Sequence, residues 1–88
     1  MKTIWKFQLS IKGEQEIKIP KRSKLLSIQI QYSVPCLWVL VPKDENKMEV
    51  IKLRTVGTGH HIDFDSTNYV GSYQLYEGKF VGHVFKLP

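Results

Sequence analysis

The stretch Leu26-Ser27-Ile28-Gln29-Ile30-Gln31-Tyr32-Ser33-Val34-Pro35-Cys36-Leu37-Trp38-Val39-Leu40-Val41 decides the fold class. Its first half alternates apolar and polar residues with a period of two, which is the pattern of a half-buried β-strand. Residues 37–41 are apolar on both faces, which is typical of a central strand or of a strand with one face in a subunit contact. Ser33-Val34-Pro35, between the two halves, predicts the turn that joins them.

The same period extends in both directions. On the N-terminal side, Trp5, Phe7, Leu9 and Ile11 share one face, and Lys12-Gly13-Glu14 predicts a hairpin turn into a strand that Pro20 ends. On the C-terminal side we predict strands over residues 48–56, 69–76 and 80–87, with Glu77-Gly78 as a turn and residues 60–68 as a loop that has room for one short helical turn. No segment has a helical period. We therefore predict one all-β domain over residues 1–88, a small antiparallel sandwich or barrel of about seven short strands.

Composition narrows the function classes. A chain of 88 residues has one small core, and its single cysteine, Cys36, excludes an internal disulfide and is interpreted as a buried hydrophobe. The three histidines lack metal-ligand spacing, so we predict no metal site and no cofactor, and oligomerisation is the expected additional source of stability. No apolar run is long enough to span a membrane and no signal-peptide pattern begins the chain, which predicts a cytoplasmic protein.

The formal net charge of +5 is unevenly placed. The first 24 residues contain seven basic and two acidic residues, whereas the remainder contains six of each. This asymmetry favours either an anionic partner or solvated strand faces with lysines at their edges.

Catalytic signatures such as a Walker loop, a nucleophile elbow or an HExxH motif are absent. The unusual local chemistry lies at Gly57-Thr58-Gly59-His60-His61, where two glycines allow a close backbone approach to an anion and the following side chains add donors. A Gly-x-Gly sequence after a strand is, however, usually a plain turn. We interpret His83, in an apolar strand, as a hydrogen-bonded interior histidine.

Nucleotide binding combines cationic groups with aromatic faces, and the chain offers both. Arg54 and Lys52, on the strand before the glycines, are candidates for phosphate contacts together with His60. Trp38 and Tyr69 are candidates for stacking on a base. A duplex binder would need clustered arginines, and this chain has only two.

The order and spacing of five stretches resemble a family of small phage and prophage proteins catalogued as a domain of unknown function. These stretches are residues 1–7, 28–31, 35–41, 57–60 and 80–85. Within that family the chain is similar to the anti-CBASS sponge proteins of Bacillus phages, which sequester the cyclic dinucleotide messenger of a bacterial defence. The resemblance implies 3′,3′-cyclic GMP–AMP as the ligand, a homo-oligomer (dimer or tetramer) and the cytoplasm of an infected bacterium.

We therefore expect a binding protein and not an enzyme. The predicted ligand-binding residues are Trp38, Lys52, Arg54, Gly57, Thr58, Gly59, His60 and Tyr69. Two alternatives remain open at this point. One is a nucleic-acid-binding or protein-inhibitor module that acts on a host macromolecule through its basic face, and the other is a small hydrolase that uses His60 or His61 with Asp63.

Overall fold

The computed structural model describes residues 1–88, and all of its regular elements are strands. In chain order they are β1 (Lys2–Gln8), β2 (Glu14–Pro20), β3 (Lys24–Gln31), β4 (Val34–Pro42), β5 (Met48–Gly57), β6 (Asn68–Leu75) and β7 (Phe80–Lys86). A three-stranded sheet in the order β1-β4-β3 packs against a four-stranded sheet in the order β2-β5-β7-β6, and every pairing is antiparallel. The all-β prediction of about seven short strands is confirmed. The structure contains no helix that is long and apolar enough to cross a membrane.

The core lies between the two sheets and is supplied by alternate residues of their strands. Leu37, Val39 and Val41 project inward from β4 and are fully buried. Leu53 of β5 and Val84 of β7 meet them from the other sheet. β4 is the middle strand of its sheet, as its apolar pattern predicts, and Cys36 is buried as a free thiol.

The prediction of a β1–β2 hairpin is wrong. β1 pairs with β4 and β2 pairs with β5, so the connection between β1 and β2 crosses from one sheet to the other. The Gln15 side chain holds this crossing, because its Oε1 accepts from the Ser10 N–H at 2.9 Å and its Nε2 donates to the Ser10 carbonyl at 2.8 Å. A side chain thus satisfies backbone groups that a hairpin ladder would have paired.

The facing of β3 also differs from strict alternation. A bulge between Leu25 and Ser27 shifts the register, so Leu25, Ile28 and Ile30 share the inward face, of which only Ile28 is fully buried; Leu26, at the bulge, is as exposed as Ile30 near the end of the strand. The turn into β4 begins one residue earlier than predicted and ends two residues earlier, since Val34 and Pro35 already belong to β4. It consists of Tyr32 (φ 51°) and Ser33 (φ 66°), and two successive residues with positive φ are typical of a tight hairpin turn.

Gly82 of β7 allows the closest approach inside the core. A Cβ atom at this position would lie 2.8 Å from Tyr73 Cζ and 3.1 Å from Thr55 Cγ2. The Tyr73 hydroxyl and Thr55 Oγ1 are buried, and neither has a partner in hydrogen-bonding geometry. Burial raises the pKa of Tyr73, and the nearby Thr55 hydroxyl opposes only part of that rise. Two buried hydroxyl groups, those of Thr55 and Tyr73, therefore remain without a hydrogen-bond partner next to Gly82 of β7.

Candidate functional site

The chain from Thr58 to Thr67 leaves the end of β5 and returns across the outer face of the four-stranded sheet to reach β6. Together with β7 it forms a pocket of about 260 Å³, which we call the glycine-loop pocket. Its lining residues are Val56, Gly57, Thr58, Gly59, His60, Ile62, Tyr69, His83 and Phe85. Five of the predicted ligand-binding residues, Gly57, Thr58, Gly59, His60 and Tyr69, meet here although up to twelve positions separate them in the chain.

The two glycines of the loop are needed for different physical reasons. Gly59 has φ 89°, a conformation that side-chain-bearing residues rarely adopt. Gly57 has an ordinary φ, but a Cβ atom there would lie 3.2 Å from His60 Cε1. The His60 imidazole is thus folded back over the backbone of Gly57. Gly57 leaves room for this ring, and Gly59 supplies the positive φ that turns the chain between them.

Hydrogen bonds anchor the start of the loop, and most of its backbone N–H groups, including those of Thr58 and Gly59, have no protein acceptor. Thr58 Oγ1 lies 2.7 Å from His83 Nε2 and ties the loop to β7. The backbone N–H of His60 donates to the Gly57 carbonyl at 3.2 Å, whereas the N–H groups of Thr58 and Gly59 donate to no protein acceptor. Successive unpaired N–H groups beside a residue in the left-handed region are the elements of an anion-binding nest.

An aromatic cluster forms the other wall of the pocket. Tyr69 packs edge-on against Phe85, with ring centroids 5.3 Å apart, and Phe64 packs on Phe85 in the same manner at 5.6 Å. These contacts bury Phe85 but leave Tyr69 55% exposed. Phe85 thus supports an exposed Tyr69 ring in the same pocket as the Thr58 and Gly59 N–H groups.

Arg54 lies on the same outer face, outside the glycine-loop pocket, and contacts residues of the loop. Its guanidinium is 3.4 Å from a Glu14 carboxylate oxygen and 4.0 Å from one of Asp63, and it lies over the Phe64 ring at 5.1 Å. The cation therefore already has two carboxylate partners. Lys52, two residues earlier on that face, lies 4.0 Å from Glu16 and outside the glycine-loop pocket.

The loop carboxylates are engaged within the chain. Asp65 accepts from the hydroxyl and the backbone N–H of Thr67, and these two hydrogen bonds hold its pKa below the ordinary value. Asp63 faces Arg54. No group of three His, Cys, Asp or Glu side chains is arranged to hold a metal ion.

Trp38 is not part of this site. It lies on β4, on the outer face of the three-stranded sheet, and so on the opposite side of the sandwich. The excess positive charge is also elsewhere, at the end of the molecule where β1 and β5 begin, whereas Gly57 ends β5 about 30 Å away. That end carries Lys2, Lys21, Arg22, Lys24, Lys43 and Lys47 against Asp44 and Glu45.

Four residues of the pocket were not predicted as ligand contacts: Val56, Ile62, His83 and Phe85. The interpretation of His83 as hydrogen-bonded agrees with its contact to Thr58, although the ring is partly exposed on the outer face and not interior. The alternation of Val81, His83 and Phe85 places them on one face, as the strand period predicts. What the period could not supply is the path of residues 58–67, which brings the loop over that face.

A family model described as a domain of unknown function, DUF7352, matches residues 1–88, the whole chain. No curated protein and no solved structure matches the chain.

Proposed function

Since this chain belongs to the DUF7352 family, whose description assigns no activity, we propose a function from its own geometry: it binds a cyclic dinucleotide in the glycine-loop pocket and sequesters it without cleavage. The observation that carries the proposal is the convergence of unpaired backbone donors and an exposed aromatic ring in one pocket. Phosphate and purine are the two chemical components of such a ligand, and each has a counterpart here.

The phosphate contacts follow from the loop. The N–H groups of Thr58 and Gly59 are free to donate, and the left-handed conformation of Gly59 lets them converge on one anion. His60 adds an imidazole donor beside them. Arg54 contributes indirectly, because its contacts to Asp63 and Phe64 fix the course of the loop.

The base contact follows from the aromatic wall. Tyr69 offers an exposed ring that Phe85 holds in place, and stacking of a base on such a ring contributes about 1–3 kcal/mol. The apolar side chains of Val56 and Ile62 complete the surface. This arrangement accepts a purine without requiring a particular pattern of hydrogen bonds.

Size favours a site that two copies share. A volume of about 260 Å³ is slightly below the range of about 300–1,000 Å³ that is usual for small-molecule pockets. The glycine-loop pocket therefore matches one half of a cyclic dinucleotide. Because the two halves of the ligand are related by approximate two-fold symmetry, two copies of the chain in a homodimer or a larger homo-oligomer would enclose it.

The resemblance to anti-CBASS sponges gives the proposed biological role. A phage protein of this kind would act in the cytoplasm of an infected bacterium, where it would hold 3′,3′-cyclic GMP–AMP and keep the messenger from its effector. Sequestration requires only stoichiometric binding. The engagement of Asp63 and Asp65 with Arg54 and Thr67 is consistent with a site that performs no hydrolysis.

Titration calorimetry with a panel of cyclic dinucleotides tests the proposal. Tyr69→Ala should weaken binding about 5- to 150-fold, the equivalent of one lost stacking contact. Tyr32→Ala is the matched control, because Tyr32 is 90% exposed and lies outside the pocket. Absence of binding by the wild-type protein, or equal losses in the two variants, would refute the proposal.

A further inference from the structure

The outer face of the three-stranded sheet contains no acidic residue. In an antiparallel pair, residues opposite each other lie on the same face, so the register identifies its members. They are Lys2, Ile4, Lys6 and Gln8 of β1, Val34, Cys36, Trp38, Leu40 and Pro42 of β4, and Lys24, Ser27, Gln29 and Gln31 of β3. We call this set the lysine–tryptophan face. Three lysines are its only charged groups, which gives it a local charge of +3.

The centre of this face is apolar and its borders are cationic. Ile4 lies opposite Leu40 and is 58% exposed, and Trp38 lies beside it on the middle strand and is partly exposed. Lys6 Nζ donates to Gln31 Oε1 at 2.8 Å, so this contact joins β1 to β3 across β4. The positive charge continues past the edge of the sheet through Lys21 and Lys43, which lie at the end where Lys2 and Lys24 begin their strands, whereas Arg22 at the same end is paired with Glu45 at 2.8 Å.

We propose that the lysine–tryptophan face binds single-stranded nucleic acid without sequence preference. Single strands are bound by positively charged surfaces that follow the phosphates and by aromatic side chains on which unpaired bases stack, and this face combines the two. The three lysines of this face have no carboxylate neighbour on it, so the face as a whole attracts an anionic partner. A second copy of the chain would bring six lysines together across a two-fold contact, so charge disfavours self-association through this face.

This surface is separate from the glycine-loop pocket. The two lie on the outer faces of different sheets, with the core between them. The inference therefore extends beyond the proposed function and does not depend on it. It also assigns a role to Trp38 and to the N-terminal lysines, which the glycine-loop pocket leaves without one.

Fluorescence anisotropy with a labelled oligothymidylate of about 12 nucleotides tests this surface, since binding sites for single strands on β-folds span about 4–16 nucleotides. The charge-reversal variant Lys6→Glu/Lys24→Glu removes two phosphate contacts. Each contact to a single strand contributes about 0.7 logarithmic units of affinity per tenfold fall in salt, so at 0.1 M salt, one tenfold step below about 1 M, the variant should lose affinity about 25-fold. Lys12→Glu/Lys79→Glu is the matched control, since it changes the net charge equally in two exposed turns outside this face. The control should lose less than about 3-fold, by long-range charge alone.

A variant that leaves the net charge unchanged tests the aromatic contribution to binding. Trp38→Leu keeps an apolar side chain and removes the stacking surface, so binding should weaken at least about 5-fold while the unfolding transition persists. Tyr69→Ala should leave oligonucleotide binding unchanged, and Lys6→Glu/Lys24→Glu should leave cyclic dinucleotide binding unchanged, so failure of either proposal can be recognised separately. No binding of the oligonucleotide at low salt would overturn the inference. So would equal losses in the two charge variants, or retention by anionic phosphatidylserine vesicles in place of the oligonucleotide.

Discussion

Replacing Gly82 by alanine tests whether the core closes as tightly as described. The added methyl carbon would lie 2.8 Å from Tyr73 Cζ, 3.0 Å from its hydroxyl oxygen and 3.1 Å from Thr55 Cγ2. Tyr73 is buried in the core cluster, so its ring has little room to move. Overpacking of this kind costs about 1–3 kcal/mol, and the gain from a less flexible unfolded chain, about 0.4–1 kcal/mol, offsets only part of it. We expect a net loss of about 1–2 kcal/mol.

Urea denaturation followed by tryptophan fluorescence measures this loss, and for a domain of this size it corresponds to a fall in Tm of roughly 4–16 °C. Gly71→Ala is the matched control on the neighbouring strand, because a Cβ atom there would meet Ile28 at 3.6 Å, an ordinary van der Waals distance. The control should be neutral or slightly stabilised. Equal stability of Gly82→Ala and the wild-type protein, or an equal loss in both variants, would refute the described packing.

Three further variants probe the fold and the loop. Tyr73→Phe removes a buried hydroxyl without a partner, so it should leave the free energy of unfolding unchanged or raise it by about 1 kcal/mol. Burial raises the pKa of Tyr73 above its ordinary value of 10.0, so as the pH rises the unfolded chain loses this proton before the folded protein does. The free energy of unfolding of the wild-type protein should therefore hold below about pH 10 and fall above it. The fall should be less steep in Tyr73→Phe. Tyr32→Asn/Ser33→Gly places residues that tolerate positive φ in the β3–β4 turn and should stabilise by about 1–2 kcal/mol, measured by urea denaturation; a loss of stability would contradict the assigned turn. Thr58→Val removes the contact to His83 and should speed exchange of the His60 amide, whose N–H donates to the Gly57 carbonyl, while changing global stability by less than about 1 kcal/mol; unchanged exchange would mean that this contact does not anchor the loop.

The fold class was predictable because the apolar period of two survives in nearly every strand. β4 is the middle strand of its sheet, which is one of the two alternatives that the apolar run of residues 37–41 favoured, although only its inner face is fully covered, since Trp38 and Leu40 on the outer face are partly exposed. Strand pairing was not predictable in the same way. Lys12-Gly13-Glu14 has the composition of a hairpin turn, but the Gln15 side chain satisfies the backbone of Ser10 and frees the two strands to join different sheets.

The candidate site was predictable where local chemistry determines it. Gly59 is needed for its positive φ and Gly57 for the close approach of the His60 ring, and a pair of glycines in the sequence signals such requirements. His60 is the residue that follows the pair. Tyr69 could be proposed only as an aromatic residue, and its place in the pocket depends on the path of the loop. Trp38 was placed with the glycines because both are suited to nucleotides, whereas sheet membership puts it on the opposite face.

Recovery of intact ligand is the most direct test of the central claim that this protein holds a cyclic dinucleotide without cleaving it. The purified protein is incubated with excess 3′,3′-cyclic GMP–AMP, freed of unbound ligand, denatured by heat, and the released small molecules are identified by mass spectrometry. We predict recovery of the unchanged cyclic dinucleotide in a fixed ratio to the protein, and a much smaller amount from Tyr69→Ala. Release of linear dinucleotide or mononucleotides, or of no nucleotide at all from the wild-type protein, would contradict the account.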